Sequence, residues 1–159
     1  MEILKLSLSN VELGGDGNPT PYGLLIGIIA DITLGSVNAP SAIVLKEAAV
    51  IWVTEDLLHG FQKVFRKRKD KVEFRDFYGE FHGYIERAGS GAVSVVFSPG
   101  GTLEIGPDNI GTWICELQRQ VYILLENALP QLTTDPSFAK SRNYHQSIVK
   151  EILEKLENK

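Results

Sequence analysis

The stretch Ala49-Val50-Ile51-Trp52-Val53-Thr54-Glu55-Asp56-Leu57-Leu58 is where the chain changes its hydrophobic period, and its reading decides the fold. Residues 42–53 read as a strand that closes on the apolar run Val50-Ile51-Trp52-Val53. Thr54 then reads as a helix N-cap. Its hydroxyl can accept a hydrogen bond from an otherwise unpaired backbone N–H, and Glu55 and Asp56 place negative charge in the positive first turn. Leu57, Leu58, Phe61, Val64 and Phe65 recur at spacings of three and four, the mark of one buried helix face, so the helix is expected to run to about 68. Lys63, Arg66, Lys67, Arg68 and Lys69 crowd its far end, where cations complement the dipole.

Strand patterns lie on both sides of this switch. In residues 2–13, Leu4, Leu6 and Leu8 alternate with Lys5, Ser7 and Ser9, the period of a half-buried strand. Residues 22–34 read as a second, more fully buried strand, set off by the turn signals at 14–19 and 38–40. Beyond the helix, 71–75, 79–87, 91–98 and 102–106 read as short antiparallel strands, with hairpin connections at Gly89-Ser90-Gly91 and Pro99-Gly100-Gly101. A second helix is expected from near Asp108 to about 128, on the stripe Ile110, Trp113, Ile114, Leu117, Val121, Leu124, Leu125 and Ala128. Asp135-Pro136 combines an N-cap with proline at the first helical position. The last helix follows, broken around 141–143, with Ile148, Val149, Ile152, Leu153 and Leu156 on its apolar face.

Strands in runs, rather than alternating with helices, specify an α+β fold. The expectation is a mostly antiparallel sheet of six to seven strands with about three helices packed to one side. At 159 residues the chain suits a single domain, 1–159, with the C-terminal helix of about 136–157 as its peripheral element. A chain of this size buries roughly 70% of its extended surface, so it needs no disulfide or metal staple.

Composition narrows the function classes. The net charge of −4 does not advertise binding to nucleic acid or an anionic membrane. The single cysteine, Cys115, forbids an intrachain disulfide and favours a reducing compartment. The first eight residues lack the basic and apolar blocks of a signal peptide. The most apolar stretch, 23–34, contains Asp31 and is too short to span a bilayer. A cytoplasmic protein is expected.

Catalytic patterns are missing. His59, His82 and His145 form no local metal-ligand spacing and read as surface or rim histidines, with no metal or cofactor expected. Cys115 adjoins an apolar helical stripe and reads as a small core residue rather than a nucleophile. Ser137-Phe138-Ala139-Lys140 has the Ser-x-x-Lys spacing without its companion motifs. Gly14-Gly15-Asp16-Gly17 opens no helix and so offers no dipole to a phosphate. Arg66-Lys67-Arg68-Lys69-Asp70-Lys71 reads as a solvated helix end, with no aromatic platform beside it.

One segment has no bland explanation. Phe74, Phe77, Tyr78, Phe81 and Tyr84 are interleaved with Glu73, Arg75, Asp76, Glu80 and Glu86. In a hairpin some of these aromatics point away from the core, and exposed aromatics among charges are what a protein-docking hot spot requires. The alternative is a small second core packed against a helix, with the carboxylates on a solvated strand face. Glu73, Asp76, Phe77, Tyr78, Glu80, Tyr84 and Glu86 are the candidate partner-binding residues.

The run from Ala49 to Leu57, followed by short strands and a helix carrying Trp113, resembles small bacterial immunity proteins of contact-dependent and polymorphic toxin systems. The resemblance covers about 43–125 and carries no diagnostic motif. It implies a cytosolic α+β domain without catalytic residues that neutralises a toxin domain by binding it. The leading expectation is therefore a non-enzymatic binding protein with a protein partner. The alternatives are a nucleic-acid-binding module using Lys63, Arg66, Lys67, Arg68, Lys69 and Lys71, and an enzyme whose site assembles only in the fold.

Overall fold

The computed structural model describes residues 4–13, 27–36, 42–66, 69–75 and 81–157. In chain order these form β1 (Lys5–Leu13), β2 (Ile28–Gly35), β3 (Ala42–Ala49), α1 (Val50–Arg66), β4 (Lys71–Arg75), β5 (His82–Arg87), β6 (Val93–Ser98), β7 (Gly101–Ile105), α2 (Ile110–Ala128) and α3 (Pro136–Glu157). Short 3-10 turns at Pro107–Asn109 and Pro130–Thr134 precede α2 and α3.

The α+β class holds, but the strands divide into two antiparallel meanders, β1-β2-β3 and β4-β5-β6-β7, rather than one six-to-seven-strand sheet. The helix at the period switch separates them in sequence. The two are linked where the Val44 N–H donates to the Gly100 carbonyl at 3.0 Å. Gly101 has a φ of 142°, and a Cβ there would lie 2.6 Å from the Ala42 carbonyl oxygen. Only glycine permits that backbone conformation and that approach of β7 to β3.

The start of α1 overturns the expected cap. The helix begins at Val50, so the run Val50–Val53 is helical and not the end of a strand. Thr54 lies inside it, 2% exposed, and its hydroxyl donates to the Val50 carbonyl one turn back at 2.8 Å. A threonine can satisfy its hydroxyl this way within a helix, which is why its side chain does not by itself mark an N-terminus. Val50, Ile51, Val53, Leu57, Leu58, Phe61 and Val64 are all buried. Each large apolar side chain among them contributes about 1.5–3 kcal/mol on burial. Gly60 lets α1 lie directly on β5, since a Cβ there would stand 2.5 Å from Ile85 Cδ1.

The first sheet carries two bulges, at Ser9–Glu12 and opposite Ala30–Ile32. Asn10 and Glu47 sit in them at φ 54° and 49°. Asp31 on the central strand staples both. Its Oδ1 accepts the Glu47 N–H at 2.9 Å, and its Oδ2 accepts from the Asn10 amide at 2.8 Å. The Glu47 N–H first, then the Asn10 amide and the nearby Lys46, hold the Asp31 carboxyl below its ordinary value. On the outer edge of β1 the Gln120 side chain of α2 takes the place of a neighbouring strand. Its amide donates to the Leu4 carbonyl and its oxygen accepts the Leu6 N–H, which protects an otherwise open edge.

The helix α3 is continuous through 141–143, where a break was expected. Ser141 Oγ donates to the Ser137 carbonyl, and Arg142 pairs with Glu126 of α2 at 2.5 Å, so the polar residues have partners without unwinding. Asp135 caps the helix as its sequence implied, its Oδ1 accepting the N–H groups of Ser137 and Phe138. Phe138, Ile148, Val149 and Ile152 lie in the same core cluster as the sheets, so α3 is packed rather than peripheral. None of the described helices is long and apolar enough to cross a membrane.

Candidate partner-docking face

Strand alternation gives the second sheet two unlike faces. Val72, Ile85, Val95 and Leu103 form one cross-strand row on the inner face, against α1 and the rest of the core. Phe74 lies over Gly83, where a Cβ would be 2.8 Å from its ring, and Phe74, Phe81 and Phe97 meet edge to face at 5.2 and 5.4 Å. These aromatics are the small second core that the sequence offered as the alternative to a hot spot.

The outer face carries the rows Lys71–Glu86–Ser94–Glu104, Glu73–Tyr84–Val96–Thr102 and Arg75–His82–Ser98. Tyr84 and Val96 are half-buried at its centre, and Glu73, Glu86, Thr102 and Glu104 are exposed around them. No described helix covers this face. Lys71 lies over the Tyr84 ring at 4.3 Å, and Glu86, directly opposite Lys71 on β5, has no ion-pair partner among the described residues. Glu73 and Glu104 likewise have no ion-pair partner among the described residues. A recess of about 750 Å3 opens at one end of the sheet, walled by Phe74, Phe81 and Tyr84 and bordered by Glu73, Arg75 and His82.

Of the candidate partner-binding residues, the fold brings Glu73, Tyr84 and Glu86 onto this one face. Asp76, Phe77, Tyr78 and Glu80 lie outside the described residues, as do Lys67 and Arg68 of the basic segment. Val96, Thr102 and Glu104 were not legible beforehand, because they join the patch only through β6 and β7 pairing. Within the basic segment, Arg66 pairs with Glu151 at 3.4 Å and Lys71 is engaged by Tyr84, so the described cations do not form an open stripe. Lys63 and Lys69 are exposed.

The histidines depart from the sequence reading. His82 is exposed, but His59 is half-buried and His145 is 0% exposed. His145 Nδ1 lies 2.7 Å from the Tyr122 hydroxyl, and its Nε2 faces Glu55 Oε1 at 3.7 Å. With the Tyr122 O–H donating to Nδ1, the ring proton is on Nε2, which faces Glu55 Oε1 beyond hydrogen-bond reach, and both of these buried atoms lack a hydrogen-bond partner among the described residues. Burial pushes the Tyr122 phenol far up, so it stays a donor. One turn away, His59 Nε2 lies 2.9 Å from the Tyr144 hydroxyl. The side chains were misread because histidine was judged by its average polarity, whereas three helices converge here and bury the rings with partners.

The Tyr122–His145–Glu55 chain has the composition of a proton relay but lines none of the described pockets. No group of three or more His, Cys, Asp or Glu among the described residues could hold a metal ion. Burial, with Glu116 adding to it, pushes the Cys115 thiol up, away from thiolate chemistry. Ser137 and Lys140 lie in the first turns of α3, where the Ser137 N–H is engaged by the cap. Compared with protein-family models, curated proteins and solved structures, the chain matches none of them.

Proposed function

We propose that this chain is a non-enzymatic, cytoplasmic binding protein that docks a protein partner on the outer face of the β4–β7 sheet. The partner is a toxin domain, neutralised by direct binding as immunity proteins do. The observation carrying this reading is the uncovered face itself, on which Tyr84 and Val96 are ringed by Glu73, Glu86 and Glu104, carboxylates with no ion-pair partner among the described residues. An apolar, aromatic centre with a charged rim is the anatomy of a docking surface, and unneutralised carboxylates favour a basic partner. Four strands of five to six residues span roughly 20 by 20 Å, about half of the ~800 Å2 that a standard interface buries on each side. The partner therefore also covers a neighbouring edge, and the recess beside Tyr84 is placed to receive one of its side chains.

The test is co-expression with the product of the adjacent gene. The expected result is a stoichiometric complex and relief of that product's toxicity, both lost in Tyr84→Ala with Glu86→Lys. A complex indifferent to those substitutions would move the interface elsewhere, and no complex or protection would refute the immunity reading. Salt-dependent binding of generic duplex, lost on Lys67→Glu plus Lys69→Glu, would establish the nucleic-acid alternative instead.

A further inference from the structure

Two sheets have four edges, and three of these are engaged. The outer edge of β1 is held at Leu4 and Leu6 by the Gln120 side chain and is bulged beyond Ser9. The edges of β3 and β7 meet each other, where the Val44 N–H donates to the Gly100 carbonyl. The fourth edge, that of β4, has no backbone partner other than β5 and its flank among the described residues.

The register shows which groups of β4 are free. One step beyond the facing residues Lys71 and Glu86, the Arg87 N–H donates to the Asp70 carbonyl at 2.7 Å. Asp70 and Arg87 are thus a hydrogen-bonded pair, and in an antiparallel ladder such pairs alternate with unbonded ones. Val72 and Phe74 therefore direct their N–H and C=O groups at β5, while Lys71, Glu73 and Arg75 direct theirs away from the sheet. The side chains of these same three residues lie on the outer face and alternate in charge: positive, negative, positive. On the inner face, Ile85, Val95 and Leu103 are buried, but at the β4 end of their row Val72 is only half-buried, as is Phe74. Free backbone groups, alternating charge and incompletely covered apolar side chains are what an added strand uses.

A second copy of β4 fits this edge poorly. Paired antiparallel and centred on Glu73, two copies set Glu73 against Glu73 and Lys71 against Arg75. Centred on Val72 they gain Lys71 against Glu73 but set Lys69 against Arg75, and centred on Phe74 they overlap only over 73–75. A different protein resting on Tyr84 and Val96 reaches β4 without a break, because Glu73 lies directly opposite Tyr84 and both border the recess. At the other side of that face, the β7 edge is already taken by β3.

We propose that the free edge of β4 takes up an extended segment of the partner, with acidic, basic and acidic residues opposite Lys71, Glu73 and Arg75 and apolar residues between them beside Val72 and Phe74. This rests on the docking reading above and specifies which edge the partner uses and with what chemistry. Backbone hydrogen bonds hold the segment, and the alternating charges select it.

The probe is the peptide acetyl-Val-Glu-Val-Lys-Val-Glu-Val-amide, whose charge order is the same in either direction, titrated to millimolar concentration against the full chain and followed by amide NMR. The expected result is a shift of the Lys71, Glu73 and Arg75 amides, with the charge-inverted peptide acetyl-Val-Lys-Val-Glu-Val-Lys-Val-amide binding about tenfold more weakly. Glu73→Pro removes an outward N–H and leaves the β4–β5 ladder its donors, so it should abolish binding. If that variant does not fold, the first peptide N-methylated at its lysine makes the same test on the unsubstituted chain. No shift at these amides, equal binding of the two peptides, undiminished binding after either backbone block, or a dimer of the chain that Glu73→Pro dissociates would each overturn the proposal. A complex with the adjacent gene's product that survives Glu73→Pro but not Tyr84→Ala with Glu86→Lys would also overturn it, while upholding the docking face. Peptide binding as expected, without such a complex, would support the edge and refute the immunity reading.

Discussion

Replacing Tyr122 by Phe removes one oxygen from the centre of the three-helix seam and leaves the ring in place. Tyr122 is 1% and His145 0% exposed, so water cannot replace the lost donor. The Tyr122–His145 contact is 2.7 Å long, which puts it among well-formed hydrogen bonds. Its loss leaves His145 Nδ1 buried without a partner, a deficit of about 1–3 kcal/mol. The packing of Tyr122 on Phe138, with ring centroids 5.2 Å apart, is retained in the variant. For a chain of this length each kcal/mol lowers Tm by about 2–4 °C, so a 2 kcal/mol loss gives a drop of about 4–8 °C. Urea unfolding at pH 7.5, read by fluorescence of the buried Trp113, should show a lower midpoint with unchanged m. A cycle with His145→Gln should show coupling of about 1 kcal/mol or more, the second substitution costing less once the first is made. A loss under about 0.5 kcal/mol, or strict additivity, would refute the claim that this bond holds the helices together.

Other expectations follow from the same geometry. Gly101→Ala should cost about 2 kcal/mol or more, because its φ of 142° disfavours a side chain and the added Cβ meets the Ala42 carbonyl; thermal melting checks this. Asp135→Ala removes the acceptor of two backbone N–H groups and should lower stability by about 1 kcal/mol in denaturant titration. Tyr84→Ala with Glu86→Lys, on the outer sheet face, should shift stability by only a few tenths of a kcal/mol to about 1 kcal/mol, so that any loss of partner binding is not a folding defect. Asp31 is held below its ordinary 3.8, so its contribution to stability is present above that pH and lost as pH falls through the folded value; Asp31→Asn should flatten the acid limb of a stability–pH curve in that region.

Much of this protein was legible without coordinates, because local periodicity is a property of neighbouring residues. The alternation of Leu4, Leu6 and Leu8, the stripe from Ile110 to Leu125 and the Asp135-Pro136 cap each carry their structure within one or two turns of chain. The same locality produced the errors. Val50–Val53 is apolar at every position and has no period, so strand and helix are equally compatible with it; packing of α1 across both sheets decides for the helix. The way the two sheets meet depends on the approach of Gly101 to Ala42, which no stretch of either segment encodes alone.

The candidate sites divide along the same line. Residues 73–86 announced a charged and aromatic hairpin, but only cross-strand register sorted Phe74 and Phe81 to the core and Glu73, Tyr84 and Glu86 to the surface, then added Val96 and Glu104 from later strands. Glu55, Tyr122 and His145 are separated by 67 and 23 residues and share no motif. What the chain determined by itself is which segments are helix or strand and that familiar catalytic spacings are missing. What tertiary structure decided is which polar side chains are buried together, because burial and hydrogen-bond geometry depend on elements that meet only after folding.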